Sequence, residues 1–458
     1  MNRVVIIGGG ITGLAAAWEL QQQGIDYVLL EASNKLGGKI ATERVDGFII
    51  EGGADSFVTY KPAGVQLCLE MGLGDKIIGT NPTTKSTYIV RDGKLHDIPR
   101  GLRLIVPLDE QGLRESDVIS EDAKVRMLNE VNVPPRKEEG DETLASFVNR
   151  RFGEEALVVF ADPMLGGIYT GNPATMSMEA TFPNYLQMEK KYGSLIAGHR
   201  NAPPPPPAKP GVPKSIFVSM RNGMGELIEE IKAKLTGEIR TGQRVTRIDA
   251  EGTVYTDSGE AYKASAVVAT IPSIYLREML DDSAPQLAQE LHRIRTVSSA
   301  TISMGFKEAE LARPLDSYGF VVAGDDPTPL RASTWSSTKF AGRAPEGYAL
   351  LRVFVGGHRS PELVTRSDEE LITLALTELK KLLGIEAIPV ISRVFRWINA
   401  NPQYEVGHLD KVASIKATCP PWLVLAGADF EGGGIPDCIR TGRESAKQAL
   451  ASRLVSNL

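Results

Sequence analysis

An α/β fold, carried by a parallel sheet whose strands come from distant parts of the chain, is predicted by three stretches of sequence. Near the start, Val4-Val5-Ile6-Ile7 reads as a buried strand and Leu14-Ala15-Ala16-Ala17-Trp18-Glu19-Leu20 as the helix after it. In mid-chain, Ala266-Val267-Val268-Ala269-Thr270-Ile271 repeats the strand pattern behind a meander of shorter strands. Near the end, Trp422 to Ala428 reads as a strand, and Ile435-Pro436-Asp437 opens a helix running through Ala446 and Leu450. Proline suits the first helical position and an acid suits the positive end of the helix.

Between the first strand and helix lies Gly8-Gly9-Gly10-Ile11-Thr12-Gly13, a G-x-G-x-x-G loop. Such glycines permit a tight turn, the approach of a pyrophosphate to the backbone, and close helix–strand packing. The helix start faces the phosphates with unpaired N–H groups and a positive dipole. Tyr27-Val28-Leu29-Leu30-Glu31 is the next strand, and Glu31, 18 residues beyond Gly13, stands where an acid holds a ribose hydroxyl. Together these features predict a dinucleotide site.

With 458 residues, 42% of them apolar, the chain is long enough for two or three domains with substantial cores. A net charge of −6 excludes nucleic-acid binding through bulk electrostatics, and no apolar run reaches the length of a membrane span. The first strand begins almost at once, which predicts no signal or transit peptide. Cys68, Cys419 and Cys438 stand far apart without C-x-x-C, as in a reducing cytoplasm, and no metal-ligating cluster is predicted.

After Glu31 comes Ala32, then Gly37-Gly38-Lys39, where a second glycine pair lets backbone approach the ligand and Lys39 could serve a phosphate. A plain glycine turn with a solvated lysine fits the same residues. Gly52-Gly53-Ala54-Asp55-Ser56 follows the short strand Phe48-Ile49-Ile50 and would let main chain lie against a flat ring. Residues 60–200 read as mostly helical, with a helix starting at Asp141-Glu142-Thr143-Leu144, its acids in the first turn. Asp162 to Asn172, glycine-rich beside apolar and aromatic residues, suits either a wall for a large planar ligand or a helix crossing. Pro203 to Pro207 is an exposed polyproline loop, serving as a linker or as a ligand for a proline-binding module.

Strands are then expected at Ser215–Val218, Arg244–Ile248 and Thr253–Tyr255, with a helix from Glu226 to Lys234 between the first two. Thr296–Phe306 and Leu350–Val355 read as further strands. Ser367-Asp368-Glu369-Glu370 is a capping box opening a helix that Gly384 ends. The last helix start is a second ready-made anion site, and a reduced flavin carries negative charge near N1. A C-terminal docking helix reads from the same pattern. Taken with the glycine loop, the two ends point to one flavin.

These residues resemble a known family. Gly8–Gly13, Glu31, Gly37-Gly38-Lys39, Gly53-Ala54-Asp55-Ser56 and Gly434-Ile435-Pro436-Asp437 are similar to the FAD-dependent oxidases of the amine oxidase superfamily. Within it, Gly167-Ile168-Tyr169-Thr170-Gly171, Ala180-Thr181-Phe182-Pro183, Ser194-Leu195-Ile196 and Asn401 to His408 resemble the protoporphyrinogen/coproporphyrinogen III oxidases of Gram-positive type. The resemblance runs nearly end to end. Ala54 replaces a common proline, and Lys39 stands where many members have arginine.

The resemblance implies a discontinuous Rossmann-like FAD domain (1–40, 215–275, 395–458), an α+β substrate domain (41–85, 180–214, 276–394) and a helical inserted domain (86–179). FAD would contact Gly8, Gly9, Gly10, Ile11, Thr12, Gly13, Glu31, Ala32, Lys39, Gly53, Ala54, Asp55, Ser56, Val245, Trp397, Ile435, Pro436 and Asp437. The implied reaction is a six-electron aromatisation of a porphyrinogen, by hydride transfer to FAD and release of hydrogen peroxide from O2. It needs no side-chain base, because the electron-rich macrocycle stabilises the cation left by hydride loss. The protein's part is to hold the tetrapyrrole and keep the site dry. Cations at the pocket mouth would meet propionates, with Lys61 the first candidate and Gly167 and Tyr169 on the wall. For Lys61, a solvated surface lysine is the plain reading. A cytoplasmic enzyme follows, with peripheral membrane contact and transient transfer of product to a ferrochelatase as further expectations.

Two other readings share the motifs. An amine oxidase or carotenoid desaturase of the same superfamily would act on a different substrate, and amine oxidases place paired aromatics over the flavin where only Phe430 is available here. A non-catalytic escort protein on this fold would purify colourless.

Overall fold

The computed structural model describes residues 3–84, 86–203, 209 and 211–456. Of the proline run, Pro204 to Pro207 lie outside the described residues.

Five strands of the described residues pair in one parallel sheet, in the order Glu238–Thr241, Tyr27–Glu31, Val4–Ile7, Ala266–Ala269, Leu423–Leu425. Alternation along Val4–Ile7 sends Val4 and Ile6 to one core and Val5 and Ile7 to the other. Both faces are therefore covered, which is why the strand reads as an unbroken apolar run. On the first face the helices Ile11–Gln22 and Ile435–Ser456 pack together with Gly225–Lys234. Their crossing is tight, since a Cβ on Gly442 would lie 2.2 Å from the Thr12 carbonyl oxygen. The two ends of the chain, 435 residues apart at Ile11 and Ala446, thus share one core.

A second, seven-stranded sheet runs Ile391–Pro402, Thr296–Lys307, Tyr348–Gly356, Ala332–Thr334, Gly319–Val322, Tyr88–Arg91, Lys94–Asp97. The helix Asp368–Leu383 covers it, and the expected capping box is formed: Ser367 accepts from the Glu370 amide and Glu370 from the Ser367 amide. Gly384 ends that helix at φ 68. Two strands of this sheet fall where the pattern read as helical, at Tyr88–Arg91 and Lys94–Asp97. Four-residue strands joined by the Asp92-Gly93 turn are too short to show a period against their charged neighbours. The helical layer packs its own core from Phe147, Phe152, Phe160 and Leu195. Its helix Leu144–Arg151 is capped by Thr143, whose hydroxyl accepts from the Ser146 amide, so Asp141 and Glu142 precede the first turn. Glu142 instead binds Arg150 at 2.6 Å.

Candidate functional site at the meeting of the chain ends

The glycine loop is shaped by two constraints. Gly8 sits at φ 106, a region that side chains disfavour, and a Cβ on Gly13 would lie 2.0 Å from the Gly8 carbonyl oxygen. Thr270, from the neighbouring strand, ties the loop by donating its hydroxyl to Ile7 O at 2.9 Å. Gly10 precedes the first helix with no side-chain cap and no acid in the first turn, which leaves the helix N–H groups free. Gly37 and Gly38 pack on the loop: the Gly37 amide donates to Gly9 O at 2.8 Å. Ile11 and Thr12 are buried in the helix start.

Glu31 ends its strand with its carboxylate turned to the loop, accepting from the amides of Gly9 at 2.7 Å and Ser33 at 2.8 Å. Ala32, exposed, and Val245, buried, border this end, joined through the Gln243 amide bond to Glu31 O and the Gly242 amide bond to Ser33 O.

Lys39 leaves the loop toward the second sheet and donates to the Ala400 carbonyl. Burial pushes its ammonium down, against the opposing pull of Cys438 and Asp429. Gly53 lies where a Cβ would meet Lys39 O at 2.0 Å and the Trp397 ring at 3.0 Å. The Trp397 indole N–H donates to Gly52 O at 3.0 Å. Ala54 follows, its amide donating to Lys39 O at 3.2 Å. Asp55 is held between Lys339 and Arg352, each at 3.2 Å, with the Ser56 hydroxyl donating at 2.8 Å. Burial works to raise that carboxyl, but Lys339 and Arg352 outweigh it and hold it well below the usual range. Arg352 also donates to Glu51 O and Gly53 O at 2.9 and 2.7 Å, so one guanidinium from the second sheet fixes the whole turn.

The last helix begins at Ile435 beside this turn. Ile435 is buried, Pro436 packs towards Gly64, and Asp437 binds Lys61 Nζ at 2.6 Å. Lys61, expected to stand free for a substrate carboxylate, is thus ion-paired with a residue assigned to the cofactor, though its side chain remains 43% exposed. Tyr169, in the short helix Gly167–Tyr169, turns toward the same place. Its hydroxyl is pushed up to about 12 by burial first, then by Asp437 and Tyr60. Gly167 has open space around it. Tyr169 packs edge-on to Phe182 at 5.9 Å and against Tyr404 at 5.5 Å, and Tyr404 stacks on His408 at 4.2 Å. Tyr169 and Tyr404 border a narrow crevice with Met176 and Gln403 that has no room for a water molecule.

Several residues of this site were not singled out from sequence. Asp429 is 5% exposed, accepts from the Ser273 amide at 2.7 Å and is raised by burial. An acid closing an apolar strand near its end was the available signal. Arg352, a lone cation inside Leu350–Val355, was another. For Tyr404, whose hydroxyl donates to Ala428 O, the signal was its place in the Asn401 to His408 stretch.

The parts fit a dinucleotide: a glycine loop without side chains at an uncapped helix start, a carboxylate at the next strand end, and a second helix start beside both. At Gly10 a Cβ would find its nearest neighbour only at 4.0 Å, so nothing fills the cradle. Fold and site together define an α/β dinucleotide-binding protein whose second, larger sheet packs against the Lys39 and Gly53 side of the site.

The chain belongs to the flavin containing amine oxidoreductase family, whose description matches residues 11–450. It is an FAD-dependent oxidoreductase. It is 33% identical to the coproporphyrinogen III oxidase of Bacillus subtilis (strain 168), over 98% of each chain. The coproporphyrinogen III oxidase of Staphylococcus aureus (strain NCTC 8325 / PS 47) is 32% identical, over 98% of this chain and 99% of that one. Among solved structures, a provisionally assigned protoporphyrinogen oxidase from Exiguobacterium sp. 255-15 superposes with a TM-score of 0.87 at 33% identity, covering 99% of both chains. Among the described residues no helix is long and apolar enough to cross a membrane, and no His, Cys, Asp and Glu cluster is placed to hold a metal ion.

Proposed function

We propose that the chain oxidises coproporphyrinogen III to coproporphyrin III with O2 as acceptor, with protoporphyrinogen IX as the related substrate. The observation that carries the reading is the joining of both chain ends at one glycine loop beside the aromatic wall of Tyr169, Phe182 and Tyr404. End-to-end identity to coproporphyrinogen III oxidases supports it.

The Gly8–Gly13 loop and first helix start would hold the FAD pyrophosphate, with Glu31 on a ribose and Ala32 and Val245 at the adenosine end. Lys39, Gly53 to Ser56, Trp397 and Ile435 to Asp437 would border the flavin end. When bound, FAD accepts the hydride equivalents and passes the electrons to O2, releasing hydrogen peroxide. The protein contributes position and dryness. Tyr169, protonated at neutral pH, offers a face and a hydroxyl rather than a base. The crevice that Tyr169 shares with Met176 and Gln403 is too tight for a ligand, so the body of a macrocycle would lie toward Tyr60 and Lys61. There Lys61 would meet a propionate, and N–H protons would leave to solvent. Exposed apolar side chains at Tyr60, Ile168, Ile216 and Phe217 suit a peripheral membrane contact. Transfer of the product to a ferrochelatase would keep a sparingly soluble porphyrin out of water.

Anaerobic addition of coproporphyrinogen III to the purified holoprotein tests the reading. The yellow absorbance bleaches, and on admission of air it returns as O2 is reduced to hydrogen peroxide. Bleaching by polyamines, with the porphyrinogen inert, would transfer the chain to the amine oxidases.

A further inference from the structure

The helix Leu157–Gly166, the turn after Tyr169 and the sheet end at Gly356-Gly357 meet at a junction that buries more positive than negative charge. Asp162 faces two guanidiniums there. Arg359 donates to its Oδ2, and Arg331 Nη2 stands 3.6 Å from its Oδ1, too far for a hydrogen bond. The three side chains are 13, 19 and 11% exposed, in the order Asp162, Arg359, Arg331. One carboxylate therefore stands against two cations. Arg331 Nη1, Asp162 Oδ1 and His358 Nδ1 are buried without a hydrogen-bond partner. Burial and Arg359 push the Arg331 guanidinium down to about 10, and burial and Arg331 push His358 down to about 4, so the imidazole adds no charge at neutral pH.

The backbone makes room for this cluster. A Cβ on Gly324 would lie 3.0 Å from Asp162 Oδ2 and 3.1 Å from Arg359 Nη2, and one on Gly357 would lie 2.6 Å from Thr170 Cγ2. Thr170 itself is left-handed at φ 54 and directly follows Tyr169. The stretch Leu157–Gly166 is wound as a π-helix around Pro163, a form that collects at functional positions.

Arg359 is taken up by Asp162 and by the Ala323 carbonyl, to which its Nη1 donates at 3.1 Å, whereas Arg331 keeps an unfilled N–H on its planar fork, an edge suited to a carboxylate. We propose that Arg331, held beside Arg359 and Asp162, forms a carboxylate-binding subsite adjoining the turn that follows Tyr169. This rests on the function proposed above insofar as a propionate of the tetrapyrrole is the occupant. A small free carboxylate has the same chemistry, and the two sources separate by experiment.

On full-length, FAD-loaded protein, the dissociation constants of coproporphyrin III and of its tetramethyl ester are measured for wild type, Arg331→Gln and Arg331→Lys. Arg331→Gln weakens coproporphyrin III about tenfold and leaves the ester unchanged, and Arg331→Lys falls between, keeping charge but losing the fork. If porphyrin affinity holds but the rise of Tm with acetate is lost in Arg331→Gln, the subsite stands and its occupant is a free anion. Equal porphyrin affinity and equal acetate response in all three proteins overturns it. A wild type that binds no porphyrin, yet shows an Arg331-dependent acetate response, counts against the proposed function and not against this site. Should Arg331→Gln fail to retain FAD, Arg331→Lys carries the same comparisons.

Discussion

Lys61 and Asp437, 376 positions apart in sequence, meet at 2.6 Å. Lys61 precedes the helix Pro62–Glu70 and Asp437 lies in the first turn of Ile435–Ser456, so the pair pins two helix starts together. It also sets a partly exposed cation against a largely covered acid. In the function proposed above, the porphyrinogen grip and the cofactor seat would share this one ion pair, so kinetics would be needed to separate Lys61 from Asp437.

Lys61→Ala is expected to raise KM for coproporphyrinogen III severalfold with little change in kcat, because a carboxylate grip acts equally on ground and transition states. Stability should drop by no more than about 1 kcal/mol, the pair being partly exposed. Steady-state kinetics with matched FAD content decide it. An unchanged KM leaves Lys61 as Asp437's partner alone.

Glu31→Ala removes the acceptor of two amide bonds at the loop edge together with the proposed ribose contact. FAD affinity should fall about tenfold or more. Fluorescence of released flavin after dialysis measures it. A variant that keeps its full yellow complement would remove the ribose role.

Gly13→Ala places a methyl 2.0 Å from the Gly8 carbonyl oxygen and 2.9 Å from Thr270 Oγ1, both held by the sheet. The helix must move off the strand, at a cost of about 3 kcal/mol. Lower Tm and poor FAD uptake should appear together. Normal values for both would show that the loop has slack.

The glycine loop at Gly13 and the strand end at Glu31 were legible in the sequence because each answers a local rule, a glycine spacing and an acid closing an apolar strand, whereas the Asp437 partner of Lys61 was not. The capping box at Ser367 and Glu370 was legible for the same reason. What escaped depends on partners distant in sequence. Lys39 pointed to a phosphate as a lone charge, whereas its ammonium meets Ala400 O, on a strand that only folding brings near. Arg352 sits in a strand whose apolar pattern hides it until Asp55 and two carbonyls are seen to converge on it. The strands at Tyr88–Arg91 and Lys94–Asp97 are defined by pairing with Gly319–Val322 and with each other, and pairing leaves no period in so short a run.

His408 gives a pH dependence with a fixed sign. It is 1% exposed, stacked on Tyr404, with Nε2 unpartnered, and burial lowers it from 6.5 to about 4. The unfolded chain then binds the proton that the folded one refuses, so stability is full above about pH 6.5 and falls between there and pH 4. The loss is of order 2–3 kcal/mol. His408→Phe keeps the stack and removes the proton site. Urea unfolding at pH 7 and pH 5 should show a smaller difference for the variant, and an equal difference would assign the acid sensitivity elsewhere.

Glu130 offers the sharpest stability test in the helical layer. It and Arg151 are both 0% exposed, joined through Arg151 Nε at 2.8 Å. The same carboxylate accepts from Ser194 Oγ at 2.5 Å and the amides of Leu195 and Ile196 at 2.9 and 3.2 Å, closing the start of the helix Leu195–Asn201. That helix carries His199 against Tyr185, which in turn stacks on Phe182 beside Tyr169. Glu130→Ala leaves a buried guanidinium with Glu189 at 3.2 Å as its remaining acid and strips a helix start of its acceptor. The expected cost is about 3–5 kcal/mol, because removing one partner of a buried pair strands the other charge. Glu130→Gln keeps an acceptor for the amides and should recover part of it. A loss below about 1 kcal/mol in Glu130→Ala would mean that Glu189 and water take over the arginine. The aromatic wall would then owe its position to packing alone.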